Sequence, residues 1–107
     1  MPGDNLFTPE VQATVSITCA VTTANVSLGA KPSRAVRVKN VDATNIAYVN
    51  FGSSSVTATV PSGSTGGSVP IGAGETAGFS LGPGQTYAAA ICTAGTPLVF
   101  FTPGDGL

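Results

Sequence analysis

Few side chains in this 107-residue chain could do chemistry, and their spacing speaks against most of it. The acids are Asp4, Glu10, Asp42, Glu75 and Asp105, spread along the sequence, with no two in the spacing of a recognisable acid–base motif. A hydrolytic carboxylate pair can be assembled from distant residues, but lone acids on strands and turns are ordinarily solvated. Histidine, the commonest general base and metal ligand, is absent. Cys19 and Cys92 without it make neither a zinc site nor a Cys-His nucleophile. The residues therefore predict a protein that is not an enzyme, with no metal, cofactor or small-molecule substrate.

The glycine clusters fail the phosphate-loop test. Ser62 to Ser68, SGSTGGS, lacks the lysine and the strand-to-helix context of such a loop, and Gly72-Ala73-Gly74 opens no helix, so both read as turn chemistry. With no tryptophan, and only Tyr48 and Tyr87 offering an aromatic ring with a polar edge, a sugar-stacking platform is thinly supplied. One charge pattern stands out. All four basic residues, Lys31, Arg34, Arg37 and Lys39, fall within nine positions with no acid among them. They are either the ordinary outward residues of a half-exposed strand or a patch for an acidic protein surface. Nucleic acid is not the expected partner, because four cations and a net charge of -1 are weak for backbone binding.

Composition sharpens the question of a partner. Only 8% of residues are charged, against about 25% in an ordinary soluble domain. A surface so sparsely charged is either kept soluble by Ser, Thr, Asn and Gly or covered in an assembly. The length fits one domain, and a 42% hydrophobic content is far from the disordered regime. No apolar run approaches a membrane span, and the amino end does not look like a secretion signal. A reduced, cytosolic origin follows as the expectation, with Cys19 and Cys92 as small buried thiols.

The elements that carry these residues read as strands. Met1 to Pro9 forms an arm, with Leu6 and Phe7 as an apolar pair that packs on its own domain or on a neighbour. The β domain is expected over residues 10–107. Val11 to Cys19 alternates cleanly, and Asn25 to Leu28 is a shorter strand. In Val36 to Gly52, Val36 and Val38 face one side and Arg37 and Lys39 the other; after the polar loop 40–45, Ala47, Val49 and Phe51 alternate in turn, and the whole reads as a hairpin. Val56 to Val60 is a further strand ending at Pro61, and SGSTGGS is a flexible loop without secondary structure. Val69 to Ile71 and Thr76 to Leu81 follow. Gly82-Pro83-Gly84 has the residues of a type II turn and leads by hairpin into Tyr87 to Cys92, which is apolar on both faces and hence central. Leu98 to Thr102 is the last strand and breaks at Pro103-Gly104. No internal repeat of fixed period is apparent. Frequent turns and no helical period predict an all-β antiparallel sandwich or barrel of about seven or eight strands in a single domain.

From Arg34 to Leu107 the cues VRVKN, AYVNFG, VTATV, VPIGAGETAGFSLGPGQTYAAAI and GTPLVFFTPGDGL together resemble a family of small capsid-associated β proteins of tailed bacteriophages. The resemblance covers about two thirds of the chain and includes neither the amino-terminal third nor the SGSTGGS loop. It implies a head decoration or cement protein, commonly a trimer seated between capsid subunits. The expected partner is then the major capsid protein, the location the outer surface of the virion, and the site of assembly the host cytoplasm. Leu6, Phe7, Lys31, Arg34, Arg37 and Lys39 are the candidate contact residues. A head-completion, tail or fibre component is the nearest alternative, and a glycan-binding adhesive module the alternative of another class.

Overall fold

Alternation in the segment from Ala35 assigns Val36 and Val38 to a dry face and Arg37 and Lys39 to a wet one, and the fold keeps that division: the two valines are fully buried and the two cations exposed. The computed structural model describes residues 8–9, 12–29 and 35–105. Among them the chain forms nine strands and no helix: β1 (Thr8–Pro9), β2 (Val15–Thr18), β3 (Ala24–Ser27), β4 (Ala35–Asn40), β5 (Ala47–Gly52), β6 (Val69–Ile71), β7 (Thr76–Ser80), β8 (Tyr87–Cys92) and β9 (Leu98–Asp105). They make two antiparallel sheets. Sheet A runs β1-β9-β4-β7, with β2 also paired to β9, and sheet B runs β3-β8-β5-β6. The inner faces meet in a core that includes Val36, Val38, Val99 and Phe101 of sheet A and Val49, Ile71, Ala88, Ala90 and Cys92 of sheet B. Phe51 of sheet B ties the layers together, its ring centroid 5.3 Å from Phe79 and 6.3 Å, edge-on, from Phe101.

Several local expectations change. Residues 36–52 are not a hairpin: β4 pairs with β7 and β9, β5 with β6 and β8, and the loop between them carries the chain from one sheet to the other. The deciding residue is Asn40, fully buried at the end of β4. Its Nδ2 donates to the carbonyls of Asn45 at 2.8 Å and Ile71 at 3.1 Å, while its Oδ1 accepts from the Asp42 N–H at 3.0 Å. An inward amide that bonds to the opposite sheet makes an arch where an outward one would have allowed a ribbon. The strands around Gly82-Pro83-Gly84 likewise belong to different sheets, although the turn itself has the expected form, with Gly84 at φ +84° and the Gln85 N–H donating to the Gly82 carbonyl at 3.2 Å.

That turn has a twin ten residues earlier. Gly72-Ala73-Gly74-Glu75-Thr76 and Gly82-Pro83-Gly84-Gln85-Thr86 both put the second glycine at positive φ, and in both the side-chain Oε1 of Glu75 or Gln85 accepts from the first glycine's N–H. One local device is thus used at two successive sheet crossings, a repeat too short to register as a period.

Three boundaries also move. β2 starts at Val15, because Gln12 sits at φ +56° in a turn. β9 continues through Pro103 and Gly104 to Asp105. On the side away from β4, β2 pairs with β9 only as far as Phe101 and β1 takes over at Gly104, so the proline falls in the gap, where no ladder bond on that side is lost. β1 draws Thr8 and Pro9, the last two residues of the expected arm, into the sheet.

Val56 to Val60 is a strap rather than a strand. Asn25 Nδ2 donates to the Ser54 and Val56 carbonyls at 3.1 and 3.2 Å, Asn50 Nδ2 to the Thr57 carbonyl at 3.1 Å, and the Ala58 N–H donates to Thr23 Oγ1 at 2.7 Å. Asn25 and Asn50 flank Ala89 in register across β3, β8 and β5. All three point out from sheet B, yet Ala89 is fully buried, because the strap lies over it. SGSTGGS, expected to be unstructured, closes as a small hairpin: Ser62 and Thr65 exchange both backbone bonds, and Ser68 pairs with Thr59. Gly63 at φ +57° suits the first central position of a type II′ turn. A Cβ on Gly67 would come within 2.7 Å of the Thr59 carbonyl and of Pro61 Cα, so only glycine lets the two arms approach this closely.

Candidate interaction surface

The outward face of sheet A is where the sequence-predicted contact residues come into view. Pairing registers set out its rows: Thr76, Lys39, Phe100 and Ser16 in one, and Gly78, Arg37 and Thr102 in the next, with Thr14 Oγ1 2.9 Å from Thr102 Oγ1. Hydroxyls and glycine dominate. Arg37 and Lys39 are its charged side chains among the residues of these rows, and Phe100 lies half-buried beside Lys39. Lys39 leans over the neighbouring turn, its Nζ donating to the Gly74 carbonyl at 3.2 Å and to Thr76 Oγ1 at 3.5 Å. Arg37 lines a shallow recess with Thr76, Ala77 and Gly78. Leu6, Phe7, Lys31 and Arg34 lie outside the described residues.

Of the acids, Asp42 and Glu75 hold turns. Glu75 caps its own turn, as above. Asp42 Oδ2 accepts from the N–H groups of Asn45 at 2.7 Å and Thr44 at 3.0 Å and from Thr44 Oγ1 at 3.4 Å. These bonds, chiefly the Asn45 N–H and then that of Thr44, hold the carboxyl below its ordinary value of 3.8. A depressed folded-state value means that the contribution is complete above 3.8 and lost as pH falls through the lower folded value. The unfolding midpoint of Asp42→Ala is accordingly expected to fall below that of the parent at neutral pH and to converge on it in strong acid, as followed by thermal melts across the acid range. A constant gap at all pH values would rule out this role for the carboxylate. Among the described residues no group of three or more His, Cys, Asp or Glu side chains could hold a metal ion.

No family model matches the chain, and no curated protein does. Two solved structures are similar in part. One comes from work describing Bacillus endospore appendages as a novel family of disulfide-linked pili, with 19% identity over 88% of this chain and 83% of that one and a TM-score of 0.46. The other is the Drosophila NLP core, described in terms of pentamer formation and histone binding, with 11% identity over 88% of this chain and 93% of that one and a TM-score of 0.37. Both scores lie below 0.5, and neither structure assigns a partner to the face described above.

The residues that sequence reasoning missed are amides. Asn25, Asn40 and Asn50 sit in or at the end of strands, where asparagine is depleted, and each reaches the backbone of another segment. That depletion was the available signal. It marks strand positions whose side chains serve as fasteners.

Proposed function

We propose that this chain is a non-enzymatic structural protein that docks by the outward face of sheet A onto an assembled protein shell, as a head decoration or cement protein of a tailed bacteriophage does. Its partner in this reading is the major capsid protein, and its assembled form a homotrimer on the virion surface. The observation that carries the reading is the face itself: a hydrogen-bonded, therefore rigid, plane of Ser, Thr and Gly residues on which Arg37, Lys39 and Phe100 stand out. Such a plane can bury area at little cost in side-chain entropy, because Ser, Thr and Gly have few rotamers to lose. Two cations then orient docking on an acidic surface and speed it. The likeness of residues 34–107 to capsid-associated proteins supports the same role, with Leu6 and Phe7 as further candidate contacts.

Charge reversal tests the role of the strip. Arg34, Arg37 and Lys39 changed together to Glu are expected to lower occupancy on purified particles by roughly tenfold or more, most strongly at low salt, with unfolding shifted far less than by a core change. Occupancy equal to that of the parent at every salt concentration would show that the strip is only solvated. Protein found exclusively at the tail would favour the tail or fibre alternative.

A further inference from the structure

We propose that Cys19 and Cys92 are a latent disulfide, two core thiols already so placed that oxidation joins the end of β2 in sheet A to the end of β8 in sheet B with no strand rearrangement. Both are free and at most 1% exposed. The chain leaves sheet A just after β2, where the Cys19 N–H donates to the Pro97 carbonyl at 2.8 Å, and the Cys92 N–H donates to the carbonyl of Ala20, the residue next to Cys19, at 2.9 Å. That backbone bond sets the two cysteines on neighbouring chains, both with their side chains in the same core cluster. A disulfide requires α-carbons about 4.4–6.8 Å apart, and Cys19 stands one residue from the Ala20 that Cys92 bonds.

The surroundings give the order of events. Cys92 Sγ donates to the Gly95 carbonyl at 3.6 Å, and residues 93–96 form an exposed turn, so opening this turn uncovers Cys92 first. With a small-molecule disulfide as oxidant, the Cys92 thiolate attacks one of its sulfurs and releases one thiol. Cys19, having given up its proton, then attacks the Cys92 sulfur of the mixed disulfide and releases the second thiol. Two protein thiols are oxidised to one disulfide and the oxidant is reduced to two thiols. Burial, and then the adjoining Cys92, push the Cys19 thiol up to about 12, so its thiolate is scarce at neutral pH and closure is slow. The pair therefore stays reduced in a reducing medium and bridges only when an oxidant is present. The inference does not rest on the docking reading.

The test is incubation of the folded, full-length protein with oxidised glutathione at pH 7 and pH 9, followed by denaturation, alkylation and intact-mass measurement. Expected is a monomer lighter by two hydrogens that takes up no alkylating agent, formed faster at pH 9. Because the bridge closes a loop of about seventy residues, its thermal midpoint should lie roughly 10–20 °C above that of the reduced protein, and a reductant should abolish the gain. Cys92→Ser should neither lose the hydrogens nor gain stability. Glutathione adducts without a bridge, disulfide-linked dimers, or two thiols that remain fully alkylatable would each overturn the proposal. So would a bridged monomer that melts no higher than the reduced one, since the native geometry would then not accommodate the bond.

Discussion

Asn40→Ala is expected to lower the unfolding free energy by about 3–5 kcal/mol, the largest effect of any polar substitution in the described structure. The side chain is fully buried, and its three bonds go to Asn45, Ile71 and Asp42, which lie on both sides of the crossing from sheet A to sheet B. Alanine strands two carbonyls and one N–H, each costing about 1–3 kcal/mol where water cannot reach it. Against a total stability of about 5–15 kcal/mol, that loss would bring a marginal domain close to unfolding. Asn40→Asp is the informative control. It keeps the acceptor for the Asp42 N–H but turns a carboxylate toward two carbonyl oxygens, so at neutral pH it should be no more stable than the alanine variant. Urea unfolding of the three proteins decides the matter, and a loss below about 1 kcal/mol for Asn40→Ala would mean that the arch does not depend on this amide.

Phe101→Ala should cost a similar amount, about 3–5 kcal/mol, for an apolar reason. Phe101 is fully buried in β9, between β4 and β2, and meets Phe51 edge-on across the two sheets. Its neighbour Phe100 points the other way, half-exposed beside Lys39. Phe100→Ala should therefore spare most of the stability and appear in attachment to a shell. Equal losses of stability from the two substitutions would contradict the assignment of faces on β9.

Much of this architecture can be read from the residues, because period two reports which side of a strand is dry. Val36 and Val38 against Arg37 and Lys39, the doubly apolar Tyr87–Cys92 and the turn at Gly82-Pro83-Gly84 are all legible in that way. Alternation says nothing about a strand's neighbours, however. A hairpin and an arch have the same pattern on paper, and what separates them here is one amide, Asn40, turned inward to Ile71. The strap shows the complementary failure. Val56, Ala58 and Val60 alternate like a strand, but the backbone of Val56, Thr57 and Ala58 is held by the side chains of Asn25, Asn50 and Thr23, which no periodicity announces. Of the contact residues, Arg37 and Lys39 are exposed on the sheet A face as their alternation predicts, although Lys39 spends two hydrogen bonds on its own turn.

The docking reading makes its most direct claim about the shell. A protein that binds only the assembled state must stabilise that state by mass action. The decisive measurement is the rupture temperature of particles assembled without this protein, before and after the purified protein is added back. Particles lacking it should assemble yet rupture at a lower temperature, and add-back should restore resistance in proportion to occupancy, less completely when residues 1–9 are deleted. Rupture at the same temperature with and without the protein would contradict the account.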